Sequence, residues 1–354
     1  MKCIRLLEVR VASTSKRSSA FKPQRIPTVP ENLHRHLFRS DVPSTSSDVP
    51  IPIQLPKLRS PSLQEHFRII ADELTHVYRE CLDVAASFPL TFPKPSQWKC
   101  QVGWTRYDHG GVIEQVDYPL EDVFFFDVET CVLDGQLPTL AVALSAKAWY
   151  CWCSERLVNL TPVPLLTRLE HLIPLGGAVK PRVAIGHNVG YDRARTREPY
   201  EKKKSALRFM DTMSMAIPMF GMADHQVVTY ETDDSDFILR EKRYERWRDT
   251  WDDRVCRNSL LAVHQHLYRD QLKMSKESKQ FQEFFVKEDI HLIRQNFQVL
   301  VNYCADDNLA CCQIFKKLWL EYQNRFPHSA TLYGMLNMGD AYLPINENWE
   351  LFYQ

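Results

Sequence analysis

The sequence predicts an α/β domain built on a mixed five-stranded sheet flanked by helices, preceded by a small helical lead-in. Three observations carry this expectation. Short strand-like runs follow one another with tight connections between residues 123 and 152. Helix and strand patterns then alternate to about residue 211, and a long helical stripe fills residues 288–322.

The elements follow in order. Residues 1–30 hold seven basic side chains and one acidic residue, Glu8, with several serines, and Met1–Leu7 mixes apolar and basic residues as an amphipathic turn does. This reads as a mitochondrial transit peptide, or else as a plain basic tail. Residues 31–60 are expected to be a disordered linker, because prolines and serines over 40–58 deny a regular element. In 61–120 a helical region is expected, since Leu63, Phe67, Ile70, Leu74, Val77, Cys81 and Val84 recur at three- and four-residue steps until Pro89 ends them. Val123–Val128, Thr139–Leu144 and Trp149–Trp152 are strands of an antiparallel meander, with a turn at Asp134-Gly135. Leu165–Leu172 has helical spacing, Val183–Gly186 is a strand, Arg193–Glu198 belongs to a helix, and Leu207–Met210 is a strand ending in Asp211. Ile293, Phe297, Leu300, Cys304, Cys311, Phe315 and Leu318 make the stripe of the last long helix. The stretch 221–257 runs acidic and then basic, with Trp247 and Trp251 interleaved, and reads as a variable charged insertion.

Composition narrows the function classes. Of 354 residues, 44% are apolar and 25% charged, which supports a packed core. No apolar run is long enough for a membrane-spanning helix, so membrane insertion is not expected. Basic and acidic residues balance at 44 each, which argues against a protein that coats nucleic acid by bulk charge. The balance is uneven, because outside the leader 43 acidic side chains face 37 basic ones. The ten cysteines form no Cys-x-x-Cys pair, so they read as reduced, mostly buried thiols, and Cys151-x-Cys153 reads as strand rather than metal site.

Three short patterns carry chemistry. Asp127-Val-Glu129 ends an apolar strand, where residues two apart share a face, so two carboxylates stand side by side. A hard divalent cation resolves their repulsion; a solvated strand end is the alternative. The run Gly186-His187-Asn188-Val189-Gly190-Tyr191-Asp192 leads from a strand through a turn to a third carboxylate as a helix begins. Tyr303 and Asp307 are four apart and share a helix face, whereas Asp306 faces away.

The order D-x-E, N-x-x-x-D, Y-x-x-x-D resembles the three motifs of the proofreading 3′→5′ exonucleases, which have the ribonuclease H-like fold. Longer segments are similar to the exonuclease region of the mitochondrial DNA polymerase gamma family: V-F-F-F-D-V-E-T-C, G-H-N-V-G-Y-D-R-A, R-F-M-D-T-M-S-M and N-Y-C-A-D-D, with G-W-T-R-Y at 103–107 and Y-L-P-I-N-E-N-W at 342–349. The similarity spans roughly residues 60–350 and is patchy over 221–257.

The resemblance implies an exonuclease domain over 121–325 and the start of a connection to spacer and polymerase regions over 326–354. It implies Asp127, Glu129, Asp192 and Asp307 as ligands of two Mg²⁺ ions, replaceable by Mn²⁺, with Asp127 bridging both ions. Tyr303 is implied to orient the attacking water, and Thr130, His187, Asn188 and Arg193 to contact the substrate. Arg195 and Lys202–Lys204 are further candidates for holding the strand, or a solvated charged face. The expected substrate is the single-stranded 3′ end of a DNA primer. The expected location is the mitochondrial matrix and nucleoid, and an accessory subunit is an expected partner of the full-length protein. No polymerase palm or fingers segment is present in the sequence. A gene fragment, a truncated isoform and a free-standing DNA or RNA exonuclease are the readings of that absence; a catalytically silent binding module is the non-enzyme alternative.

Overall fold

The computed structural model describes residues 57–176, 180–201, 205–221, 256–269 and 278–338, together with Asn32 and His36. The chain divides into two units, 1–58 and 59–354. The first is described at only four positions, and the account below concerns the second. The expected transit peptide, most of the linker and of 221–257, Lys202–Lys204 and residues beyond 338 lie outside the described residues.

Seven strands form one sheet in the order β2-β1-β5-β4-β3-β6-β7: β1 (Gly103–Asp108), β2 (Ile113–Val116), β3 (Val123–Glu129), β4 (Leu140–Leu144), β5 (Ala148–Cys153), β6 (Arg182–Gly186) and β7 (Leu207–Asp211). The meander β3-β4-β5 is antiparallel, and β6 and β7 add in parallel beside β3, so the sheet is mixed as expected. The expected count of five is corrected to seven. The hairpin β1–β2 lies in the segment read as helical, its turn carries Gly110-Gly111, and it extends the sheet beyond β5. Its residues alternate weakly, because β2 is an edge strand with three exposed positions out of four.

Nine helices are described. They are α1 (Leu63–Ala86), α2 (Glu155–Asn159), α3 (Gly190–Arg193), α4 (Thr212–Phe220), α5 (Leu260–Tyr268), α6 (Ser278–Lys287), α7 (Ile290–Gln295), α8 (Phe297–Arg325) and α9 (Ser329–Met338). The Ser62 hydroxyl caps α1 by accepting from Glu65 N–H at 3.1 Å. The single helix read over 288–322 is two: α7 is capped by Asp289, and the chain turns at Asn296 before α8. Leu165–Leu172 is not a helix. Pro162 and Pro164 precede it, Leu165 is 95% exposed, and only a 3₁₀ turn over Leu169–His171 remains. Arg193–Glu198 is likewise mostly turn, because α3 ends at Arg193 and Thr196 bridges to Ile173 instead.

The sheet has two unlike faces. One row runs Phe125, Leu140, Val142, Leu144, Cys151, Val183, Ile185 and Met210, and packs under α1, α8 and α9. Phe125 meets Phe315 of α8 edge-on at 5.9 Å. The alternate row, Phe124, Phe126, Val128, Trp152 and Phe209 among others, is covered by Ile173, Leu175 and Val189 from loops and turns. The nine described cysteines are unpaired thiols, seven of them buried, and Cys151 and Cys153 lie on the helix-covered face of β5 as strand residues.

Candidate active site

The site is where the helix-covered row changes character. Along β3, Phe125, Asp127 and Glu129 share one face, and their register partners on β4 are Leu144, Val142 and Leu140. The row is therefore apolar at Phe125 and acidic two and four residues on. Above it lies α8, a helix of 29 residues, tied down next to Asp127 by Asn308, whose amide donates to the Val142 carbonyl at 3.1 Å. One helical turn earlier, the Cys304 thiol reaches Asp127 Oδ2 at 3.1 Å. Tyr303 and Asp307 project from the adjoining strip of α8, and both line the cleft.

Asp192 arrives from the other side. It sits on α3, is buried, and accepts from the Val128 backbone N–H at 3.1 Å, so the second motif is bonded directly to the strand that carries the first. Asp306 does face away: it is largely exposed and paired with Lys94 at 2.6 Å. The structure thus brings Asp127, Glu129, Asp192, Tyr303 and Asp307 to one cleft of about 310 Å³.

The electrostatics of that cleft are lopsided. Removal from water raises all four carboxyls, Asp127 to about 6 and Asp307 to about 8, with Glu129 and Asp192 held well above the usual carboxylate range. For Glu129, Asp192 and Asp307, a neighbouring carboxylate adds to the rise. Burial and the same carboxylates push the Tyr303 phenol far upward, so it stays protonated. No described basic side chain lines the cleft apart from His187, whose pKa burial lowers; its Nε2 lies 2.7 Å from the Asn258 carbonyl and its Nδ1 2.9 Å from the Thr212 hydroxyl. Oxygen donors that raise one another's pKa fit a hard divalent cation, which removes the repulsion that the protein leaves uncompensated. Asp127, Glu129 and Cys304 have ligand atoms within 4.8 Å of one another. The thiol, raised by burial, serves as a donor to Asp127.

The expected substrate contacts divide. Thr130, His187 and Asn188 line the cleft; Thr130 hydrogen-bonds the Tyr191 hydroxyl, and Asn188 is exposed. Arg193 is not brought to it: the side chain is 6% exposed, with its guanidinium 6.0 Å from the Phe209 ring on the far face. Arg195 is also buried, stacked on Tyr191 at 3.5 Å. Sequence reasoning missed the wall formed by Gln282, Phe285 and Val286 of α6, with Leu260 of α5. Their only signal is ordinary helical spacing, which does not distinguish a cleft wall from core.

A mixed sheet with helices packed on it, and four carboxylates and a tyrosine gathered beside β3, defines an α/β domain of the exonuclease class. The model of the DNA mitochondrial polymerase exonuclease domain matches residues 49–322, and the chain belongs to that family. It is 38% identical over 338 residues to the mitochondrial DNA polymerase subunit gamma-1 of Drosophila melanogaster, covering 91% of this chain and 28% of that protein. It is 34% identical over 378 residues to DNA polymerase subunit gamma-1 of Xenopus laevis, covering 98% and 31%. With DNA polymerase gamma of Saccharomyces cerevisiae it shares 34% over 307 residues, covering 84% and 23%. The chain thus spans less than a third of these relatives.

Proposed function

We propose that the chain is a 3′→5′ exonuclease that removes nucleotides one at a time from the single-stranded 3′ end of a DNA primer, as the proofreading part of a mitochondrial DNA polymerase. The observation that carries this reading is the convergence of Asp127, Glu129, Asp192, Asp307 and Tyr303 on one cleft from three separate segments. Asp127, Glu129, Asp192 and Asp307 would together hold two Mg²⁺ ions, which Mn²⁺ could replace. When bound, the pair of cations supplies an activated water and charge stabilisation at phosphorus.

The chain's own residues supply the rest. The Tyr303 hydroxyl, kept protonated, holds the attacking water by hydrogen bonding and is not a base. The Cys304 S–H and the Val128 N–H fix the carboxylates of Asp127 and Asp192. Thr130, His187 and Asn188 border the space for the terminal nucleotide. The acidic cleft repels phosphate until cations bind, so strand entry depends on metal. The product is a deoxynucleoside 5′-monophosphate.

On this reading the chain acts in the mitochondrion, in replication of that organelle's DNA, with the matrix nucleoid as its site of action and an accessory subunit as partner of the full-length protein; the similarity to a mitochondrial DNA polymerase subunit gamma-1 supports the reading. The test uses a 3′-mismatched primer and a matched RNA in Mg²⁺ and in chelator. Asp127→Ala/Glu129→Ala is expected to abolish metal-dependent trimming of the DNA. Unchanged trimming by that variant would refute the assignment. Trimming of RNA alone would favour an RNA exonuclease, and binding without cleavage a silent module.

A further inference from the structure

The corner between β7 and α4 faces the turn that leads to Asp192. Asp211 caps α4 there and is 9% exposed. Its Oδ1 accepts from Met213 N–H at 3.1 Å and its Oδ2 from the Ser214 hydroxyl at 2.6 Å. Those bonds suffice for a helix cap. Oδ1 also accepts from the Asn188 N–H at 2.7 Å, 23 residues earlier in the chain and on a different element. Asn188 has φ +61°, a left-handed conformation that an L residue adopts at a cost. The next residue of the corner, Thr212, places its hydroxyl 3.0 Å from the Gly186 carbonyl and 2.9 Å from His187 Nδ1.

The turn is also wedged from behind. A Cβ on Gly186 would come within 2.9 Å of Val189 and 3.1 Å of the Phe126 carbonyl. Its far end is fixed by the bond from Val128 N–H to Asp192. Between these points the Asn188 N–H is held by Asp211 alone among the described contacts.

We propose that Asp211 is a positioning residue for the second acidic motif: its carboxylate oxygen holds Asn188 in the left-handed turn and so sets, four residues on, the direction of the Asp192 carboxylate. It touches neither substrate nor cation. The inference rests on the reading of Asp192 as a metal ligand given above.

Two substitutions separate the clamp from the cap. Asp211→Ser keeps a good capping hydroxyl for α4 but is too short to reach Asn188. Asp211→Asn keeps an acceptor oxygen of the same reach. Mn²⁺ affinity of the 354-residue chain is measured from the free-ion paramagnetic resonance signal, with thermal melts as the folding control and single-turnover DNA trimming alongside. Asp211→Ser is expected to weaken Mn²⁺ binding by about fivefold or more and slow trimming by about tenfold, while Asp211→Asn stays within about twofold of the parent on both. Asn188→Gly added to Asp211→Ser restores Mn²⁺ affinity, because glycine takes φ +61° without a holding bond. Parent-like Mn²⁺ binding by Asp211→Ser, or an Asp211→Asn as impaired as Asp211→Ser, overturns the proposal. Asp192→Ala is measured in parallel. If it weakens Mn²⁺ binding and Asp211→Ser does not, the positioning role alone fails. If Asp192→Ala also binds normally, the metal-site reading fails and the positioning role with it.

Discussion

The seam between β3 and α8 has two ends that obey the same geometry and have opposite energetics. At one end Phe125 lies against Phe315, and burial stabilises the fold. At the other, Asp127 and Glu129 occupy the same row beneath Asp307, and burial works against ionisation. The apolar end provides the rigidity with which the acidic end is held. The difference shows how a domain can keep four carboxyls together: it carries three of them on β3 and α8, which pack against each other, ties the fourth to β3 through the Val128 N–H, and leaves the charge for a cation to settle.

The sharpest way to break that comparison is at its acidic end. Asp127→Asn is expected to slow removal of a 3′-terminal nucleotide about a thousandfold, roughly 4 kcal/mol in barrier. The same change should raise the melting temperature of the metal-free protein, since one of four clustered carboxylates is gone. A variant that lost both activity and metal-free stability would show that the carboxylate is structural. Next in size, Phe125→Ala at the apolar end should cost about 3–5 kcal/mol in denaturant unfolding. Trimming per folded molecule should fall far less than in Asp127→Asn.

A smaller effect concerns a carboxyl away from the seam. Glu198 accepts from the Leu175 N–H at 2.6 Å on the loop-covered side, and burial raises it to about 7. A folded pKa above the unfolded value means that the associated stability is fully present below about pH 4.5 and is lost as pH rises through 7. Glu198→Gln should therefore flatten unfolding free energy between pH 5 and 8, by at most about 3 kcal/mol; an unchanged slope would exclude Glu198 as its source. The smallest effect is at Asp306. Its pair with Lys94 is exposed, so Asp306→Asn should change stability by about 1 kcal/mol or less and leave trimming intact. Asp307→Asn, one residue on, should disable it.

That last contrast marks how much was legible beforehand. The three acidic motifs could be read because their spacing survives translation into structure: two residues on a strand share a face, and so do four on a helix. Register alone chose Asp307 over Asp306. Arg193 failed because charge near a motif says nothing about direction; its guanidinium turned to Phe209 on the other face. Cys304 was counted as part of the apolar stripe, which it also is, and its contact with Asp127 depends on a neighbour 177 residues away. The β1–β2 hairpin escaped because an edge strand with one wet side has little alternation to read. Leu165–Leu172 had the spacing of a helix but no surface to bury a whole face against, so Leu165, Leu166 and Leu169 remain in solvent and Leu172 alone of its leucines is buried.

Asn308 has a consequence for how the molecule comes apart. Its amide joins the middle of α8 to the carbonyl of Val142, the residue of β4 directly opposite Asp127. The helix that carries Tyr303 and Asp307 therefore cannot loosen at the cleft while staying docked on the sheet. Partial opening of the site, with the rest of the domain intact, has no cheap route along this seam. Heat inactivation and global unfolding should share one midpoint, and slow hydrogen exchange should extend along α8 to Tyr303 and Asp307.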